Sequence, residues 1–110
     1  MIRLTNSNNR IKYIILLVCL CSCHKHKYEA CFSVSKDKFN VNEQIVFEDC
    51  SNYDDGQEWA FWDFGDGTKI NTQKKESAVY SYSQAGEYTV YLRIGTKEWG
   101  SSITKPIVIE

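Results

Sequence analysis

Thiols, carboxylates and aromatic rings are the residues of this chain that could do chemistry. Of 5 cysteines, Cys31 and Cys50 lie beyond the apolar leader, in the part with globular character. A thiol pair can ligate a metal, attack a substrate or oxidise to a disulfide. Zinc needs more ligands than two thiols, and the 2 histidines, His24 and His26, precede the globular part. Asp54, Asp55, Asp63 and Asp66 could offer oxygens to calcium, which takes roughly six to eight. Asp66 and the run Asp54-Asp55-Gly56 are better explained as turn acceptors, so no metal or other cofactor is expected. No serine sits in a nucleophile context and no histidine is placed to act as a base, so catalysis is not expected. The aromatic residues, 14% of the chain, remain as a means of binding.

The leader carries chemistry of its own. Residues 1–22 hold no acidic residue and place Arg3, Arg10 and Lys12 ahead of an apolar run, Ile14 to Cys21. That run is well short of the roughly 20 apolar residues that cross a bilayer, so it reads as an export signal. It ends in Leu20-Cys21-Ser22-Cys23, which resembles the lipobox of bacterial lipoproteins. The resemblance implies cleavage before Cys23 and acylation of its sulfur and of the new amino terminus, palmitate being the expected chain type. Only a thiol gives a stable thioether to a diacylglyceryl group, and two or three chains anchor durably where one is marginal. His24 is not the aspartate that resembles an inner-membrane retention signal, so the cell envelope, at the outer membrane, is the expected location. The expected plan is a signal at 1–22, a tether at 23–29 and one domain at 30–110. Without the signal the chain has ten basic against 14 acidic residues. Nucleic acid is therefore not an expected partner.

The remainder alternates with period two. Phe32 and Val34 alternate with Cys31 and Ser33, and Ile45 and Phe47 with Val46 and Glu48. If these segments pair about a polar turn from Lys36 to Asn42, partners sum to 81 and Cys31 lies opposite Cys50. Opposed strand residues are close enough to bridge, and export meets an oxidising compartment, so a disulfide is expected. Further strands are expected at Trp59–Phe64, Ala78–Tyr82, around Tyr88–Ile94 and at about Ile103–Ile109. Polar residues from Thr68 to Glu76 read as a connection. Pro106 requires an edge, or a position where no amide is needed. About seven short strands without a helix-period segment read as an all-β, immunoglobulin-like antiparallel sandwich, with Trp62 as core tryptophan and Tyr88 as corner tyrosine.

At this point the residues resemble a known family. Phe47-x-Asp49-x-Ser51, Trp62-Asp63-Phe64-Gly65-Asp66-Gly67, Tyr82-x-x-x-Gly86-x-Tyr88-x-Val90-x-Leu92 and Ile107-x-Ile109 look like a PKD (polycystic kidney disease) domain over residues 30–110. Tyr80 stands where that family often has histidine. The resemblance implies an immunoglobulin-like extracellular module that supports protein–protein or protein–carbohydrate contact.

If Trp62, Phe64, Tyr88, Val90 and Leu92 point inward, period two turns Trp59, Phe61, Tyr91 and Arg93 outward on neighbouring strands. Aromatics beside arginine are typical of contact hot spots, and aromatic faces also stack on sugar rings. The expected function is a lipid-anchored, non-catalytic binding module for an envelope or extracellular protein or glycan. The alternative is a structural subunit or spacer of an envelope complex, with the strip serving only as cross-strand packing.

Overall fold

The computed structural model describes residues 27–54 and 59–110. The signal, Cys23 and the first part of the tether lie outside the described residues, as does Asp55. Among the described residues eight strands form: β1 (Phe32–Ser33), β2 (Lys38–Phe39), β3 (Ile45–Asp49), β4 (Trp59–Asp63), β5 (Lys69–Gln73), β6 (Ala78–Tyr80), β7 (Gly86–Gly95) and β8 (Gly100–Ile109). They make two sheets, β1-β3-β6 and β2-β8-β7-β4-β5. The expected all-β, immunoglobulin-like sandwich is the fold found.

The core is built by alternation from both sheets. Phe32, Ile45, Phe47 and Ala78 come from the first sheet, and Phe39, Ala60, Trp62, Val90, Leu92, Ile94, Ile107 and Ile109 from the second. Phe64 and Tyr82 join from the chain just past β4 and β6. Trp62 is the centre: its ring meets Phe32 edge-on with centroids 5.4 Å apart, and lies 5.9 Å from Phe47. A buried indole N–H must find an acceptor. Trp62 Nε1 donates to Thr72 Oγ1 at 3.0 Å.

Thr72 belongs to β5, a strand placed where the sequence suggested a polar connection. Ile70 and Thr72 turn half-buried toward the core while Lys69, Asn71 and Gln73 stay exposed. An edge strand contributes one half-covered face, so its alternation is shallow and its composition polar. Phe39 likewise corrects the expected turn at Lys36–Asn42. The register Phe32↔Asp49 and Ser33↔Glu48 holds the sum of 81. The connection, however, is not a hairpin: it crosses to the other sheet, where β2 pairs parallel to the end of β8 and Phe39 enters the core.

Cys31 and Cys50 are bridged, with Cα atoms 4.9 Å apart. Ser51, fully buried, continues the join: its hydroxyl donates to the Cys31 carbonyl at 3.1 Å and accepts from the Cys31 amide at 2.9 Å. Asp49 ties the following chain down, accepting from the amides of Ser51 and Lys75 and from the Tyr53 hydroxyl. The Phe-x-Asp-x-Ser pattern is thus core, turn anchor and strand clamp in succession.

Pro106 sits where no amide is needed. Val108 and Glu110 donate toward β2, to Asp37 and Phe39 carbonyls. Alternate amides of a strand face opposite edges. Pro106 therefore faces the same edge, on a stretch of β8 that β2 does not reach.

Candidate functional site

The outward face of the five-stranded sheet collects the aromatic residues. In the β4–β7 ladder Trp59 opposes Gly95, Phe61 opposes Arg93, and Asp63 opposes Tyr91. On the other side of β4 the same three residues oppose Gln73, Asn71 and Lys69. Beyond β7, Thr104 stands opposite Tyr91 and Ser102 opposite Arg93. Directly opposed residues share a face. Trp59, Phe61, Tyr91 and Arg93 therefore form one patch, with polar side chains to either side.

Gly100, opposite Gly95, leaves the Arg93 side chain its place: a β-carbon there would come within 3.2 Å of Arg93 Nη2. The Arg93 guanidinium reaches over the Trp59 indole, 6.0 Å from its centroid. The same guanidinium lies against the Thr96 carbonyl, Nη1 to O 3.4 Å. Arg93 thus links the patch to the β7–β8 turn. Phe61 and Tyr91 meet edge-to-face, centroids 6.2 Å apart at 70°. The patch is less open than alternation alone suggests. Trp59 is 36% exposed, while Phe61, Tyr91 and Arg93 are half-buried. The two rings cover each other, which excludes a flat coplanar platform and leaves a corrugated surface with Trp59 at one end. A shallow depression opens between Trp59 and Asn71.

The Gly65–Gly67 loop lies at the opposite end and is organised as a turn. Asp63 Oδ1 accepts from the Gly65 amide and Asp66 Oδ1 from the Thr68 amide, each at 3.0 Å. Gly65 is left-handed, φ 81°, and a β-carbon there would come within 2.6 Å of the Thr89 carbonyl oxygen. The motif glycine therefore lets two strands approach. Among the described residues no group of three or more His, Cys, Asp or Glu side chains could hold a metal.

Tyr80, which the sequence left without a role, stacks on Phe64 at 4.2 Å and donates to Asp66, with Thr68 Oγ1 also in reach at 2.9 Å. It is a lid over the motif turn. Burial, reinforced by the hydrogen bond to Asp66, raises its pKa. Tyr82 donates to the Phe64 carbonyl at 2.8 Å. Burial chiefly, with the Asp66 charge next, pushes its pKa well up. Tyr88 stacks on Tyr82 and donates to the Gln84 carbonyl four residues back at 2.8 Å, the geometry of a tyrosine corner. Gly86 is extended, with its open side against the Tyr88 ring.

Residues 28–109 match the family described as the PKD domain. A solved carbohydrate-binding-module structure from the β-sandwich superfamily is 29% identical, with TM-score 0.67 over 74% of this chain and 34% of that one. This chain thus spans about a third of the length of that neighbour. The PKD1 domain of Vibrio anguillarum Epp is 24% identical, with TM-score 0.61 over 78% of this chain and 98% of that one. The PKD domain of the human VPS10 domain-containing receptor SorCS2 superposes with TM-score 0.63 at 16% identity, over 76% of this chain and 72% of that one.

Proposed function

The chain belongs to the PKD domain family, and from that premise we propose that it is a lipid-anchored, non-catalytic envelope module. It binds a partner protein through the face formed by Trp59, Phe61, Tyr91 and Arg93. The observation that supports this most is the patch itself: three aromatic rings and an arginine on two adjacent strands, rimmed by Asn71, Gln73, Ser102 and Thr104. An aromatic centre with arginine and a polar rim is the composition of a protein contact surface. The edge-to-face pair favours a protein over a flat sugar chain, because its rings present unlike angles.

A glycan ligand is the second reading. It is favoured by the likeness to a carbohydrate-binding module and by Trp59, whose partly open ring could stack on one sugar beside the Asn71 amide. A structural subunit without a ligand of its own is the remaining alternative. Affinity capture from envelope membranes with the acylated protein distinguishes them. A protein captured by the native chain and lost from Phe61→Ala/Tyr91→Ala supports the first reading. Retention by immobilised polysaccharide that falls in Trp59→Ala supports the second. Undiminished capture by both variants removes the binding face from this sheet.

A further inference from the structure

The end of the sandwich where the chain enters also carries its most exposed tryptophan. Trp99, 54% exposed, caps the turn between β7 and β8. That turn is held by its own bonds. The Thr96 amide donates to the Trp99 carbonyl at 2.7 Å, the Trp99 amide to Thr96 Oγ1 at 3.2 Å, and Arg93 reaches the Thr96 carbonyl. Gly95, buried with φ 119°, packs against the Trp99 and Gly100 backbone so closely that no β-carbon fits. The tip is therefore a fixed projection that presents a large amphipathic ring.

The chain enters beside this tip. Ala30 donates to Ser101 Oγ at 3.1 Å. Two residues of strand separate Ser101 from Trp99, about 7 Å. Glu29 and Asn52 exchange backbone hydrogen bonds at 3.0 and 2.9 Å, so the ladder fixes the chain outward to Glu29. From Lys27, the first described residue, back to Cys23 is four residues, at most about 14 Å of extended chain. A headgroup layer is of the order of 5 to 8 Å thick on each side of the bilayer. An anchor at Cys23 on so short a leash holds this end, and no other, against the lipid. Lys27 and Lys97 are exposed at the same end, as are Glu29 and Glu98.

We propose that the β7–β8 tip is a membrane-docking element, with Trp99 seated at the lipid headgroup boundary. Tryptophan is favoured there because its ring has an apolar body and one polar N–H. Docking fixes the domain upright on the bilayer, which leaves the Gly65–Gly67 end pointing away and runs the patch up the sheet from Trp59, opposite Gly95 near the tip, to Tyr91, opposite Asp63. The inference rests on the reading of Cys23 as the anchor.

The test uses the full acylated protein in vesicles of phosphatidylethanolamine and phosphatidylglycerol with brominated acyl chains, bromine quenching only nearby rings. Trp62 is buried and Trp59 lies on the sheet face, so single Trp-to-Phe substitutions assign the signal. Bromine-dependent quenching is expected in the native chain, is retained in Trp59→Phe and is lost in Trp99→Phe. Quenching that persists in Trp99→Phe overturns the proposal and assigns the contact elsewhere. A protein that floats with vesicles and carries acyl chains on Cys23 but shows no quenching overturns it while leaving the anchor intact. A Cys23 without acyl chains overturns both.

Discussion

Phe61 and Tyr91 show how far alternation alone goes in describing a surface residue. Both point outward, yet each is half-covered by the other. An edge-to-face aromatic pair contributes about 0.5–1.5 kcal/mol beyond area burial. A double-mutant cycle on Phe61→Ala and Tyr91→Ala should therefore give a coupling of about 1 kcal/mol. Denaturant titration of the four proteins measures it. A coupling near zero would leave the pair as contact surface alone. Tyr82 acts in the core, from the chain just past β6. Tyr82→Phe leaves the buried Phe64 carbonyl without its partner, at a cost of about 1–3 kcal/mol. The pH dependence follows from the direction of the shift. A phenol whose pKa is raised by folding adds stability that is complete below the unfolded value of about 10 and lost as pH climbs above it. The melting temperature should therefore fall above that pH, and fall less steeply in Tyr82→Phe. A native and variant alkaline limb of equal slope would contradict the assignment.

At the scale of elements, β1 has only two ladder residues and depends on what surrounds it. The disulfide, Ser51 and the Lys105 ammonium on the Phe32 carbonyl at 2.6 Å hold it in place. A bridge spanning 19 residues of sequence contributes about 3 kcal/mol in the chain-entropy picture. Cys31→Ser/Cys50→Ser should lower stability by about that amount and release β1 first, because Phe32 lies beneath it. Hydrogen exchange would show protection lost around residues 31–33 and 48–51 before the β4–β7 ladder. Uniform loss would mean that β1 does not open separately. The β7–β8 hairpin depends on Gly95 in another way. Gly95→Ala forces a β-carbon into the Trp99 backbone, so the tip must rearrange, and tryptophan emission should report it.

At the scale of the whole molecule, the sheets place Ala30 and Glu110 at opposite ends. Ala30 lies beside the β7–β8 tip, and Glu110 is held at the other end through bonds with Phe39 and Val41. If Cys23 is the anchor, the domain carries its load from the β7–β8 end. Cys23→Ser should abolish acylation and leave the protein unprocessed, since serine cannot form the thioether. Labelling with a fatty-acid probe reads this directly, and label on the variant would refute the anchor.

The sequence by itself determined the two-residue period, the Cys31–Cys50 register and the turn chemistry of Asp63 to Gly67. Each depends on neighbours close in sequence or on a single pairing sum. It also marked Trp62 and Tyr88, whose partners are dictated by a buried N–H and a corner. It did not disclose β5, because Lys69, Asn71 and Gln73 face water and only Thr72, through Trp62, reveals why the strand is needed. Nor did it disclose that Phe39 crosses to the second sheet, since a polar segment holding one aromatic has the composition of a turn. The half-burial of Phe61 and Tyr91 and the place of Trp99 beside the entering chain were decided only in three dimensions. Period two assigns a residue to a face, but what else lies on that face depends on which strands are neighbours, and that is settled by packing across the whole sandwich.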